Sequence, residues 1–345
     1  MKRHRLWLGI LICALLLMAT ENAYCGKGGH YTPGIMGVRD NIMPPKSGFY
    51  LAVFNPYYYA NAYSGANGKK VKELSASRTI YINNTAVDVT ATADVELEIE
   101  SAGTSPMLTY VFDKKILGAN YGLAVSTYFG YARAKIKADV TATGSVGGVQ
   151  VPGLEITRSL EKEYSDYGMG DPTFSPLWLA WRGGHYDIWL IYGVSAPLGK
   201  YDSGRFLNIG RGFWSHGISL GGVYYPRKDH STALMFNPTY EINTRQEGSG
   251  ITPGQNLSLE YGISQYFTPR LEACISGYSL FQVTEDTGGD PHSDGPNSYV
   301  HAIGGQITYW IVKNKFGVAG KYLYEYAARE RTKGQLATIN FYYIF

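Results

Sequence analysis

The last ten residues, Leu336 to Phe345 (LATINFYYIF), constrain the fold more than any other stretch. They alternate in period two. Ala337, Ile339, Phe341, Tyr343 and Phe345 fall on one side and Leu336, Thr338, Asn340, Tyr342 and Ile344 on the other, as in a strand with one greasy and one more polar face. At the edge of an open sheet, so aromatic and uncharged a strand would offer unpaired N–H and C=O groups to any passing chain. Closing the sheet removes the edge. The pattern therefore points to an antiparallel β-barrel.

The opposite end agrees. Lys2, Arg3 and Arg5 precede an apolar run from Leu6 to Ala19, and small residues follow at Ala23 and Cys25. This is the layout of a signal peptide over 1–25, with cleavage after Ala23 or Cys25. The run is too short for a membrane helix. A strand ending on an aromatic carboxy-terminus also resembles the closing strand of a bacterial outer-membrane barrel, and the resemblance implies that Phe345 is the assembly signal.

Charged residues make up only 17% of the chain while Tyr reaches 30 and Gly 42. With no further long apolar run, such a chain can enter a membrane only by alternation. Losing Lys2, Arg3, Arg5 and Glu21 with the leader lowers the formal charge from +3 to +1, too little for a general attraction to nucleic acid. Of the three cysteines, only Cys274 lies well clear of the leader, so neither a disulfide framework nor a cysteine-based zinc site is expected.

Beyond residue 45 the periodicity predicts twelve strands, at 47–62, 97–112, 121–139, 169–182, 186–201, 213–226, 231–244, 255–267, 270–285, 299–312, 316–330 and 335–345. Tight turns such as Thr268-Pro269 alternate with longer polar connections, notably 63–95, 140–168 and 286–298. That alternation is the up-and-down topology of an outer-membrane barrel, in which an even strand number returns both ends to the periplasm. Thr79 to Thr90 and Val149 to Ile156 could be extra hairpins above the membrane. Pro56, Pro176, Pro197 and Pro238 each remove a ladder donor, so bulges are expected there. Residues 26–46, rich in Gly and Pro and without alternation, read either as a plug folded into the lumen, carried by His30, Tyr31 and Pro33, or as a disordered leader.

Facing follows from the alternation. Leu257, Leu259, Tyr261, Ile263, Ile275, Ile303, Ile307, Tyr309, Ile311, Tyr322, Tyr324 and Tyr326 should meet lipid, and Ser258, Glu260, Glu272, Ser276, Gln282, Gln306, Thr308, Lys321 and Glu325 should face inward. The candidate solute path has an acidic side of Glu241, Glu260 and Glu325 and a basic side of Arg133, Lys135 and Lys137 on the third predicted strand, with Gln282 and Lys321 as further inward groups. Either these walls orient a passing solute, or the charges pair across a narrow lumen and plug it. Catalysis is not expected: Ser215 and His216 are adjacent on a strand and point to opposite faces, so they cannot act as nucleophile and base. The seven histidines show no metal-ligand spacing, and no cofactor site is evident.

Several stretches together resemble one family. Gly28 to Gly34 (GGHYTPG), Gly168 to Pro172 (GMGDP), Ser195 to Asp202 (SAPLGKYD), Tyr240 to Thr244 (YEINT), Gly277-Tyr278 with Gln282 and Asp286, and Tyr324 to Tyr326 (YEY) look like signatures of the family described as "Putative MetA-pathway of phenol degradation". These are outer-membrane barrels related to the SphA-like transporters. Gly170-Asp171-Pro172 also has a local reading as turn chemistry. The resemblance implies passage of small hydrophobic or aromatic compounds across the outer membrane of a Gram-negative bacterium. The expected partners are then outer-membrane lipids and lipopolysaccharide, the barrel-assembly machinery and the solute, and no nucleic acid. A hydrophilic diffusion pore and an adhesive barrel acting through its external loops are the alternatives.

Overall fold

The computed structural model describes residues 28–82, 84–152, 155–288 and 298–345, so the leader expected at 1–25 lies outside the described residues. In chain order the strands are β1 (Gly48–Ser64), β2 (Glu73–Ile82), β3 (Thr85–Ile116), β4 (Ala119–Ser126), β5 (Phe129–Val146), β6 (Val149–Gln150), β7 (Ile156–Met169) and β8 (Thr173–Arg182). They continue as β9 (Tyr186–Ser195), β10 (Ser215–Tyr224), β11 (Thr232–Asn243), β12 (Asn256–Tyr266), β13 (Leu271–Gln282), β14 (Tyr299–Val312), β15 (Phe316–Arg329) and β16 (Arg331–Ile344).

Twelve of these close into an antiparallel ring: β1, β3, β4 and β8 to β16. β1 seals it, pairing with β16 from Tyr50↔Ile344 to Ser64↔Arg331 and with β3 from Gly48↔Val111 to Ala60↔Ile99. The terminal strand thus has neighbours on both sides, β1 and β15. Its alternation is obeyed: Leu336, Thr338 and Asn340 are buried, while Ile339, Phe341 and Tyr343 are exposed. β12 to β15 follow the same rule, with Glu260, Glu272, Ser276, Gln306, Lys321 and Glu325 buried and Ile263, Ile275, Ile307, Tyr322, Tyr324 and Tyr326 exposed.

The first half of the ring departs from the sequence reading. β3 is 32 residues long, about three times what a tilted strand needs to cross a bilayer. Its N-terminal half leaves the ring at the rim opposite the chain's C-terminus. There it carries the same sheet on beyond the ring, in the order β2-β3-β5-β7. The 79–90 hairpin is present, and β6 adds a two-residue return against β5 at 149–150.

The third predicted strand, 121–139, is therefore two elements. β4 belongs to the wall, and β5 begins at Phe129 beside the last stretch of β3 that still pairs with β1, then runs on into the extension. The break falls at Thr127-Tyr128, where the Tyr128 ring lies so close to Gly103, Gly130 and Gly170 that a Cβ at any of them would crowd it. Period-two alternation is the same in a wall strand and in its continuation beyond the membrane, so it cannot mark the exit point.

Two further corrections concern proline and strand ends. Only Pro176 sits at a register shift, between Phe174 and Leu177. At Pro56 and Pro238 the ladder is interrupted on one side without a change of register, and Pro197 lies beyond the end of β9. A missing N–H costs one bond, which the neighbour on the other side does not share. The fifth predicted strand stops at Ser195 because residues 196–214 turn back toward β7 and β8, where Phe206 stacks on Tyr164.

Candidate functional site

Residues 28–43 run through the barrel interior, from the rim bearing the extension to the rim bearing the C-terminus. At the first rim His30 meets the β7–β8 connection and β10. Its Nε2 lies 2.8 Å from Asp171 and its Nδ1 2.6 Å from Ser215 Oγ. Next, the two oxygens of Glu241 on β11 accept the main-chain N–H groups of His30 and Tyr31. One turn deeper, Glu260 on β12 accepts the Tyr31 hydroxyl and, at 2.8 Å, the N–H of Gly34. Pro33 is buried beside this contact.

The path continues on β13 to β16. Lys321 Nζ donates to the Met36 carbonyl at 2.6 Å, Asn340 Nδ2 to that of Ile35 at 3.4 Å, and the Tyr342 hydroxyl to Asp40 at 3.0 Å. Arg39 forms an ion pair with Glu272 at 2.7 Å and also donates to the carbonyls of His230 and Ser231. Its guanidinium lies 4.8 Å from the Tyr266 ring centroid. Arg182 caps the Met43 carbonyl.

Apolar packing accompanies the polar grip. Val38 and Met43 are 2% and 1% exposed and pack in one cluster with wall residues including Trp178, Trp189, Val223 and Met235. Burying a side chain of that size is worth about 1.5–3 kcal/mol. Gly34 has φ of +89°, and a Cβ there would lie 2.7 Å from Leu323 Cδ1 and from the Tyr278 ring. Only glycine meets both demands, positive φ and close approach to the wall.

Among the residues expected on the solute path, Glu241, Glu260 and Lys321 touch the N-terminal segment. Glu325 is buried behind it, accepting the hydroxyls of Tyr58 at 2.9 Å and Tyr278 at 2.7 Å and the Gly334 N–H at 2.6 Å. Gln282 stands at the rim, bonded to Asp286 and the Thr284 carbonyl. Arg133, Lys135 and Lys137 do not line the lumen. They lie on β5 in the extension, in register between the β3 glutamates Glu100, Glu98 and Glu96 and the β7 residues Ser165, Glu163 and Glu161. Arg133 approaches Glu100 at 3.5 Å and Lys135 approaches Glu161 at 2.9 Å. The expected acidic wall is therefore not opposed by a basic wall; the acids hold main-chain N–H groups instead. Phe345 is 71% exposed beyond the end of β16, its ring 4.9 Å from that of Tyr343.

Sequence reasoning missed Asp171, Arg211, Asn243 and Arg39. The signal for two of them was present in the family-like stretches, which meet in space. Asp171 accepts the N–H of Gly199 and of Arg211, each at 2.7 Å, besides the His30 ring, so turn chemistry alone does not account for it. Asn243 binds Ser215 at 2.7 Å and closes one side of a recess of about 380 Å³ at the mouth, also lined by Thr252, Gln255 and Thr284. Ser215 points inward and His216 outward, where it meets the Tyr192 hydroxyl at 2.8 Å. Among the described residues no group of three His, Cys, Asp or Glu side chains could hold a metal ion.

The model of the family described as "Putative MetA-pathway of phenol degradation" matches residues 82–341. An outer membrane channel of Pseudomonas putida F1 superimposes with a TM-score of 0.60 at 13% identity, over 92% of this chain and 100% of that one. A FadL homologue of Pseudomonas aeruginosa gives 0.39 at 12% identity over 93% and 97%, and the CymD monoaromatic hydrocarbon channel 0.40 at 10% over 93% and 96%. The first of these shows a shared fold. Comparison with curated proteins returns no match.

Proposed function

The chain belongs to the Putative MetA-pathway of phenol degradation family, and from that premise we propose that it is an outer-membrane channel for passive uptake of small hydrophobic or aromatic compounds, with its N-terminal segment as a plug in the lumen. One observation carries the reading. Glu241 and Glu260, the carboxylates best placed to line a hydrophilic pore, are occupied by the amides of residues 30, 31 and 34. A lumen so filled disfavours free passage of ions and favours solutes that gain little from a wet, charged wall. The exposed Ile and Tyr of β12 to β15 would face lipid, the extension sheet would stand outside the cell in contact with lipopolysaccharide, and the leader would direct export in a Gram-negative cell.

The test is a planar-bilayer recording beside a proteoliposome flux assay. The full chain should conduct poorly yet pass a monoaromatic solute faster than a sugar of similar size, and deleting Gly26 to Pro45 should raise conductance. High conductance with no preference among solutes would support a diffusion pore instead.

A further inference from the structure

We infer that the outside of the barrel at the upper ends of β14, β15 and β16 is a docking surface for a phosphorylated lipid of the outer leaflet, the lipid A part of lipopolysaccharide. The inference rests on the reading above that this rim stands outside the cell. Two stretches far apart in the chain meet there. Ser64 pairs with Arg331 across β1 and β16 and makes a further bridge to Lys70, so the loop after β1 folds back beside the β15–β16 turn. Gly68, with φ of +72°, lies where a Cβ would be 3.5 Å from the Ala328 carbonyl oxygen and 3.8 Å from the Tyr299 hydroxyl. Lys69 and Lys70 follow it directly and are exposed.

Positive charge is concentrated at this spot. Residues 64–72 and 329–333 contain six cations, Lys69, Lys70, Lys72, Arg329, Arg331 and Lys333, against one carboxylate, Glu330. That carboxylate accepts the Tyr63 hydroxyl at 3.1 Å. Among the described residues none of the six cations forms an ion pair. Arg329 has a buried Nε without a hydrogen-bond partner, and so has Arg331, while the Ser64 hydroxyl opposite Arg331 is in the same condition. A buried donor left without an acceptor is costly. Three such groups at one rim call for an acceptor that the chain itself does not supply, and a phosphate offers several charged oxygens at once.

Below the cations the same face turns apolar. Val300 and Ala302 are 1% and 0% exposed and point inward, so Tyr299 and His301 point out, and Arg329, in register with Tyr299, shares their face. The His301 ring lies 5.2, 5.4 and 6.0 Å from the rings of Tyr299, Phe281 and Tyr326. Ile303, Tyr324 and Tyr326 are 49%, 46% and 50% exposed on the same side. Arg329 stands three residues beyond Tyr326, roughly 10 Å along the strand. Cations at headgroup height over an aromatic and aliphatic band match an amphiphile that carries oxyanions above acyl chains. A free anion would use only the upper half of this surface, and a neutral lipid only the lower.

Native mass spectrometry of the full chain in detergent, titrated with bis-phosphorylated lipid A, tests this, with dephosphorylated lipid A and inorganic phosphate as probes of the two halves. The wild type should retain the phosphorylated lipid on the order of a hundredfold more tightly than the dephosphorylated one. Lys69→Gln, Lys70→Gln and Arg329→Gln together should remove most of that difference. Arg133→Gln, Lys135→Gln and Lys137→Gln together, the same loss of charge on β5, should keep it, both variants being checked for heat-modifiable barrel. Equal retention of the two lipids by the wild type, a comparison that needs no variant, would overturn the inference. Three further outcomes would do the same: a difference that survives in the first variant, an equal loss in both variants, or displacement of the lipid by inorganic phosphate at a similar concentration. Loss of solute preference in the flux assay above would reject the channel reading and leave this surface standing.

Discussion

Arg39 and Glu272 form a 2.7 Å ion pair between the N-terminal segment and the barrel wall, with side chains 14% and 9% exposed. The pair closes the rim that bears the C-terminus, while His30 and Asp171 close the opposite one. Removing one partner leaves a buried charge without compensation. Arg39→Ala should weaken seating of the plug by about 3–5 kcal/mol and raise the open fraction in bilayer recordings. Arg39→Ala with Glu272→Ala should be less damaging than the first change alone; an equal or larger effect would mean that the pair does not couple the two parts.

Gly34→Ala tests the close approach at mid-lumen. Adopting positive φ costs about 1–2 kcal/mol, and forcing a methyl against Leu323 and Tyr278 adds about 1–3 kcal/mol. The barrel should assemble normally while protease cleavage of the N-terminal segment increases. Unaltered cleavage would place Gly34 outside any tight contact.

Lys321 faces the lumen but is 6% exposed, because the segment covers it. In a Cys274→Ser background, Lys321→Cys should resist a small polar thiol reagent in the full chain and react once Gly26 to Pro45 is deleted. Tyr322→Cys, one residue on, should stay shielded by lipid in both. Reaction at Tyr322→Cys alone would mean a register error of one, which flips every side chain.

Arg133, Lys135 and Lys137 lie on β5 between the glutamates of β3 and the facing residues of β7. Replacing all three by Gln should leave conductance and aromatic flux unchanged and alter stability little, as is usual for exposed pairs. A change in ion selectivity would return them to the lumen.

Phe345 makes few contacts, so its deletion should leave the melting temperature of purified barrel almost unchanged. If its aromatic end is an assembly signal, the amount of folded barrel in the outer membrane should nevertheless fall several-fold. Equal amounts would reject that role.

The period-two alternation of 336–345 and of β12 to β15 determined the closed barrel and which side chains point inward, because a pleated strand offers only two faces. The family-like stretches likewise contain His30, Asp171 and Glu241, although Asp171 read there as turn chemistry. What each inward group touches was decided only by the tertiary structure. Glu241 binds amides more than two hundred positions earlier in the chain, and no local pattern encodes a contact of that span. Alternation is equally blind to depth: β5 repeats it as faithfully outside the ring as β4 does within. The fate of Arg133, Lys135 and Lys137 therefore depended on where Tyr128 breaks the strand, and that break is set by three glycines that meet only when the sheet has formed.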